Sequence, residues 1–257
     1  MADILDTFIE KAHESVKSGY YATHGSPHMV LPCSLSEKLA RQFVLITEIK
    51  HASPAGEYSF DNIDVEKTAM EFKRCKADAI SVVVEQHIFK GNLGNIQVAK
   101  KTGLPVLFKD FVVSDEQIKA AKFYGADAML LVVKAIDRCS LDLDGMIEKA
   151  HKEGLEVLVE AYDEAEMKKA AKTDADILGI NNRDLATLKV DLNRTKRIME
   201  SVGKISKPVI SESGIRGADD VRFVKQFGVK GVLVGTSIWK APDLGAKVAE
   251  LKRGATD

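Results

Sequence analysis

Glu48 and Lys50 stand two residues apart in Glu48-Ile49-Lys50-His51-Ala52-Ser53-Pro54, directly after an apolar run at 43–46. Residues i and i+2 of a strand point to the same face, so a carboxylate and an ammonium project side by side from a strand tip that Pro54 ends. Burying such a pair is costly unless its geometry is good, which makes the stretch a candidate site. Lys109, in Leu107-Phe108-Lys109-Asp110-Phe111, and Glu160, after the apolar run 157–159, each follow bulky residues. Burial there is expected to push the lysine pKa down and the glutamate pKa up, toward values useful for acid–base work at neutral pH. Ser213-Gly214 and Gly235-Thr236 are small residues, where backbone N–H groups can approach an anion.

The elements that must position these groups follow from the apolar pattern. Short runs at 43–46, 79–84, 106–108, 128–133, 157–159, 177–180, 209–211 and 231–234 alternate with helix-like stretches at 64–76, 115–124, 143–153, 163–172, 191–202 and 218–227. Strands alternating with helices mean parallel βαβ units, and strands that are apolar throughout mean burial on both faces. Eight such units match an α/β fold, a single (β/α)8 TIM barrel. An open dinucleotide-binding sheet would show a glycine-rich turn after its first strand, and Lys50-His51-Ala52-Ser53-Pro54 is not one. The domain reading is one unit over 1–257, with a helical N-terminal extension at 1–42 and the barrel at 43–257. In the extension, 2–18 reads as an amphipathic helix with Ile4, Leu5, Phe8, Ile9 and Ala12 on one side. Ser34-Leu35-Ser36-Glu37 reads as a capping box opening a second, short helix. Four helix-to-strand joints look alike: Lys76-Ala77-Asp78-Ala79, Gly125-Ala126-Asp127-Ala128, Asp174-Ala175-Asp176-Ile177 and Gly228-Val229-Lys230-Gly231.

In a barrel, chemistry sits where strands end. Beyond the runs lie Glu48 and Lys50, then Glu85 with Phe89-Lys90-Gly91-Asn92, then Lys109, Lys134 and Glu160. Asn181-Asn182-Arg183-Asp184, Glu212-Ser213-Gly214 and Gly235-Thr236-Ser237 follow. So many polar groups on one rim argue for a site, and the loops after strands 7 and 8 often hold phosphate in this fold.

Composition removes other classes. Apolar residues make up 45%, charged residues 29%, and the net charge is −1, which recommends neither nucleic acid nor a membrane surface as partner. No apolar run approaches a membrane span, and the acidic N-terminus lacks a signal-peptide pattern. Cys33, Cys75 and Cys139 are scattered, without metal-ligand spacing, and suit a reducing cytoplasm. The histidines do not cluster, so no metal site is expected, and His51, His87 and His151 read as surface residues. Trp239 reads as packing. The sequence is compatible with a monomer and leaves the oligomeric state open.

The set Glu48-x-Lys50-x-x-Ser53-Pro54, Phe89-x-Gly91, Leu107-x-Lys109-Asp110-Phe111, Glu160, Ile180-Asn181-x-Arg183-Asp184-Leu185, Glu212-Ser213-Gly214-Ile215 and Gly235-Thr236-Ser237 resembles indole-3-glycerol phosphate synthase. The resemblance spans essentially the whole chain. It implies a lyase of tryptophan biosynthesis, acting without cofactor on 1-(2-carboxyphenylamino)-1-deoxyribulose 5-phosphate, a phosphorylated small molecule. It further implies Lys109 as general acid, Glu160 as its acid/base partner, and Lys50, held by Glu48, as the cation steering the substrate. Asn181, Arg183, Glu212 and Ser213 are implied as orienting contacts, and Phe89 and Phe111 as walls for the aromatic ring. Gly214, Gly235 and Thr236 are implied as phosphate-binding positions, with Ser53 nearby. Ala55, Val84, Asn92 and Thr236 depart from the commoner family residues. The rival readings are another phosphate-binding barrel, such as phosphoribosylanthranilate isomerase, and a non-catalytic sugar-phosphate-binding barrel.

Overall fold

The computed structural model describes residues 4–28 and 31–256, so the first two residues of the helix expected at 2–18 lie outside the described chain. Its first four strands are β1 (Val44–Ile49), β2 (Ala79–Val83), β3 (Val106–Lys109) and β4 (Ala128–Val132). The other four are β5 (Glu156–Ala161), β6 (Ile177–Asn181), β7 (Val209–Glu212) and β8 (Gly231–Val234). All pair in parallel and in chain order, and β8 closes on β1, giving the expected TIM barrel.

Most strands run further than their apolar runs suggested. Glu48, Lys109, Glu160, Asn181 and Glu212 lie within strands rather than just past them, and the ladder still pairs Glu48 with Ser81, Glu160 with Gly179 and Asn181 with Glu212. Charge does not end a strand whose backbone partners continue. Strand alternation explains where these side chains go. Ile46, Leu107, Leu158 and Ile210 belong to the cluster filling the barrel, and the residue two further on is Glu48, Lys109, Glu160 and Glu212 respectively. Alternate positions such as Leu45, Phe108 and Val159 pack outward against the helices. Two runs overshoot the C-terminal ends of their strands: Val84 lies past the end of β2, and Val133 begins the helix Val133–Arg138 instead of extending β4. The helices Gly94–Lys100 and Leu244–Thr256 were not anticipated, although Leu244, Val248, Leu251 and Ala255 keep helical spacing.

Two helices precede the barrel, α1 (Ile4–Lys17) and α2 (Leu35–Arg41). Both put apolar residues into the inner cluster, Leu5 and Phe8 from α1, Leu35 and Leu39 from α2. A Cβ on Gly231, the first residue of β8, would meet Leu39 at 3.0 Å, so α2 plugs the N-terminal end of the barrel. Only half of the expected capping box forms. Glu37 N donates to the Ser34 hydroxyl at 3.0 Å, but the Glu37 side chain turns to Arg41. Glu156, at the start of β5, takes over by accepting from Leu35 N at 2.8 Å and Ser36 N at 3.0 Å.

The repeated joints become repeated clamps. Asp78, Asp127 and Asp176 donate their backbone N–H to Leu45, Val106 and Val157, and their carboxylates accept the N–H of those same residues at 2.7–2.8 Å. Lys230 keeps the backbone bond to Val209 but has no acceptor to return, so the fourth joint is single. Asp127 also holds the buried Lys100 ammonium at 2.7 Å and 2.8 Å. Asp127→Asn leaves that charge without its counter-ion and is expected to lower unfolding free energy by about 3–5 kcal/mol in urea titration. A loss below about 1 kcal/mol would contradict the burial of Lys100.

Candidate active site

A cleft of about 960 Å³ opens at the C-terminal ends of the strands. Its floor is the uppermost inward layer of the barrel. Lys109 on β3 and Glu212 on β7 lie four strands apart in a closed ring of eight, hence on opposite sides, and their side chains meet at 2.8 Å. Glu160 Oε2 lies 3.5 Å from the same ammonium, and Glu160 Oε1 accepts from Asn181 Nδ2 at 2.9 Å. Beside them Lys50 Nζ lies 2.9 Å from Glu48 Oε1. Trp239, half of whose role is the packing expected of it, donates Nε1 to the Glu48 carbonyl at 2.8 Å and so fixes the strand end.

Two glycines make room for these acids. A Cβ on Gly179 would sit 2.3 Å from Glu212 Oε1, and one on Gly235 would sit 2.5 Å from Glu48 Oε1. Three carboxylates and two ammonium groups thus share a layer that elsewhere in the barrel is hydrocarbon.

The electrostatics reverse one expectation. Burial does pull the Lys109 pKa down, but attraction from Glu212, Glu160 and Glu48 outweighs it, and the net shift is upward. Lys109 is held charged, not poised to lose its proton at neutral pH. Burial raises Glu212 to about 7; Lys109 opposes this and Glu160 adds to it. Burial also works against the Glu48 charge, but Lys50 and then Lys109 prevail and its carboxyl lies below the usual range. Glu212 Oε1 has no hydrogen-bond partner and lies buried against Gly179.

On one side the cleft is apolar. Phe89 and Phe111 line it together with Leu130, Val132 and Leu185. Phe8 of α1 completes this wall, stacked on Phe111 with ring centroids 4.7 Å apart and 5.5 Å from Phe89. Across the barrel lie Ser213, Gly214, Gly235 and Thr236, with Arg183 beside them. Ser213 and Gly214 adopt consecutive positive φ values of 64° and 85°, turning the chain tightly after β7. Arg183 donates to the Leu188 carbonyl at 3.1 Å and stays 3.9 Å from Glu57.

Thirteen of the fourteen residues selected from sequence line this cleft. Ser53 is the exception. It is buried in a turn in which Ser53 N donates to Tyr58 O at 3.0 Å, and its hydroxyl is spent on Glu57 at 2.8 Å. His51, expected on the surface, is half-buried, with its ring near the Asn95 amide at 3.4 Å. Lys134 turns away to the Tyr162 ring, and the Glu85 carboxylate is taken by the N–H groups of His87, Ile88 and Phe89. Sequence reasoning missed Phe8, which read only as one apolar position of an amphipathic helix. Nothing in helical spacing says which part of the barrel the helix covers.

The family model for indole-3-glycerol phosphate synthase matches residues 7–251. The chain belongs to the indole-3-glycerol phosphate synthase family. A curated indole-3-glycerol phosphate synthase of Desulfotalea psychrophila is 36% identical over 98% of this chain and all of its own length. That of Caldanaerobacter subterraneus subsp. tengcongensis is 45% identical over 76% of this chain and 75% of its own. Among solved structures, a 3-hexulose-6-phosphate synthase shares 18% identity with a TM-score of 0.65, covering 82% of this chain and 99% of its own. A thiamine phosphate pyrophosphorylase from Pyrococcus furiosus shares 20% with a TM-score of 0.63, covering 87% and 98%. At that identity both share only the barrel. The family match sets aside phosphoribosylanthranilate isomerase as a reading. Among the described residues of this indole-3-glycerol phosphate synthase family member, no helix is long and apolar enough to cross a membrane.

Because three carboxylates hold Lys109, it is expected to keep its ammonium proton below about pH 10, the ordinary lysine value, with its ¹³Cε NMR signal showing there only the small shift that the titration of Glu212 transmits. In a Glu48→Gln, Glu212→Gln double variant burial is less opposed, and the titration should move down. Loss of the wild-type Lys109 ammonium proton near neutral pH, read as the full-amplitude shift of that signal, would contradict the hold of the carboxylates.

Proposed function

We propose that the protein is an indole-3-glycerol phosphate synthase, a carbon–carbon lyase of tryptophan biosynthesis. It converts 1-(2-carboxyphenylamino)-1-deoxyribulose 5-phosphate to indole-3-glycerol phosphate, carbon dioxide and water. The observation that carries this reading is the Lys109 ammonium, held between Glu212 and Glu160 under a cleft with an apolar wall on one side and small residues on the other.

The chemistry follows from that arrangement. The substrate phosphate binds at Gly214, Gly235 and Thr236, with Arg183 nearby, and its aromatic ring lies against Phe89 and Phe111. Fixing both ends brings the ring carbon that bears the carboxylate to the ribulose carbonyl, and this supplies much of the rate by proximity. As that carbon bonds to the carbonyl carbon, negative charge builds on the carbonyl oxygen. Lys109 stabilises that charge and passes its proton to it, leaving a hydroxyl. Carbon dioxide departs and its bonding electrons restore the aromatic ring. Dehydration then needs an acid for the leaving hydroxyl and a base for the proton on the neighbouring carbon. Lys109 and Glu160 share these steps, and Asn181 orients Glu160. A lysine held at high pKa is a weak acid, so its charge matters first. It becomes a better donor as Glu212, whose Oε1 has no partner in the protein, turns to a substrate hydroxyl. Lys50, kept extended by Glu48, steers the anionic substrate, and Ser213 shapes the cradle. Ser53 acts indirectly through Glu57.

The chain works as one domain, with an N-terminal extension at 1–42 whose helices α1 and α2 lie at opposite ends of the barrel at 43–257. The reaction as written needs no cofactor, nucleic acid or membrane, and suits a cytoplasmic monomer. Of the departures from the commoner family residues only Thr236 lines the cleft; Ala55, Val84 and Asn92 lie outside its lining, and none of the four removes a proton-transfer group.

Purified protein incubated with the carboxyphenylamino substrate should develop indole fluorescence. Lys109→Ala should lose about 10²–10⁴-fold or more in kcat while still binding inorganic phosphate. Near-normal turnover of Lys109→Ala would overturn the role of the lysine. Binding without any turnover by the unmodified chain would favour a non-catalytic barrel.

A further inference from the structure

α1 has 14 residues, a length at which an isolated helix is marginal in water, so its place over the cleft depends on its anchors. Near its start Asp6 pairs with Arg138 in a partly exposed bridge. Such bridges contribute little. Beyond its end the anchors are buried. The Tyr20 hydroxyl donates to the Val84 carbonyl at 3.0 Å and accepts from Leu93 N at 3.2 Å. Tyr21, 2% exposed, donates to Asp110 Oδ2 at 2.5 Å. Asp110 is 3% exposed, and its other oxygen accepts the Phe111 N–H at 2.8 Å. Gln117 then ties the same loop, donating to the Phe111 carbonyl at 2.9 Å and accepting from Val113 N at 2.8 Å.

These contacts form a closed circuit. Phe8 stacks on Phe111, Phe111 is held by Asp110, Asp110 is held by Tyr21, and Tyr21 leads back along α1 to Phe8. Burial pushes the Asp110 carboxyl up to about 7, and the Tyr21–Asp110 bond is the shortest of these hydrogen bonds; it adds to the packing of the buried Leu5, Phe8 and Ala12 and to the contacts of Ser15 with Gln86 and His87 in holding α1. We propose that Tyr21 and Asp110 form a latch that joins α1 to the loop after β3 and sets the spacing of the apolar wall, which makes both of them positioning residues for the aromatic end of the substrate. The part about the aromatic end rests on the function proposed above; the latch itself does not. Asp110 follows Lys109 directly in the chain, yet its carboxylate is committed to Tyr21 and Phe111 and not to the Lys109 ammonium.

Tyr21→Phe keeps the ring and removes only the bond. In the ligand-free protein, hydrogen exchange of the α1 amides should then speed up by about tenfold or more, with the strand amides unchanged. In steady-state kinetics KM for the carboxyphenylamino substrate should rise by about tenfold, with kcat changed by less than about threefold and inorganic phosphate affinity unaltered. Asp110→Asn, which keeps the shape and an acceptor but removes the charge, should give the same pattern more weakly. Unchanged α1 exchange in Tyr21→Phe would overturn the latch. A fall in kcat at constant KM, or parallel weakening toward substrate and phosphate, would overturn the positioning role. If the unmodified chain turns over no substrate, the lyase reading fails while hydrogen exchange still decides the latch.

Discussion

The Lys109–Glu212 contact crosses the inside of the barrel, from β3 to β7, and the upper half of the molecule depends on it. An ammonium buried in a hydrocarbon barrel would shed its proton, and buried carboxylates would take one up. Placed together, the carboxylates keep Lys109 charged and the two lysines keep Glu48 ionised, while burial still pushes Glu212 up, and the geometry that allows this is strict. Glu212 needs Gly179 beneath it, Glu48 needs Gly235 beside it, and Glu160 needs the Asn181 amide. The balance is close enough that Glu212 sits at about 7, and its second oxygen stays unsatisfied. A purely structural core has no use for such a balance, whereas the acid role proposed for Lys109 does.

The two ends of the barrel treat charge differently, although the same strand alternation delivers it. At the N-terminal end every carboxylate named above is closed off. Asp78, Asp127 and Asp176 clamp neighbouring strands, and Glu156 caps α2. At the C-terminal end the acids are paired but face open space. Clamps are concentrated at one end and the proposed chemistry at the other, as the barrel architecture favours. The N-terminal segment serves both, with α2 sealing the stable end and α1 supplying Phe8 to the reactive one.

Sequence alone determined the strand and helix alternation, the closed barrel it implies, and nearly all of the polar groups on the reactive rim. These are local signals. An apolar run of strand length, a polar residue at its end and a helical period each show within about ten residues. Three kinds of feature lay beyond that reach. The pKa of Lys109 was expected to fall and instead rises, because it is decided by Glu212, which is 103 residues away along the chain. Ser53 matched its motif, but a turn set by Tyr58 spends its hydroxyl on Glu57. The part α1 plays in the apolar wall was invisible, since helical spacing fixes which residues are buried and not what buries them. Burial and charge balance are sums over neighbours in space, and only the tertiary structure decides who those neighbours are.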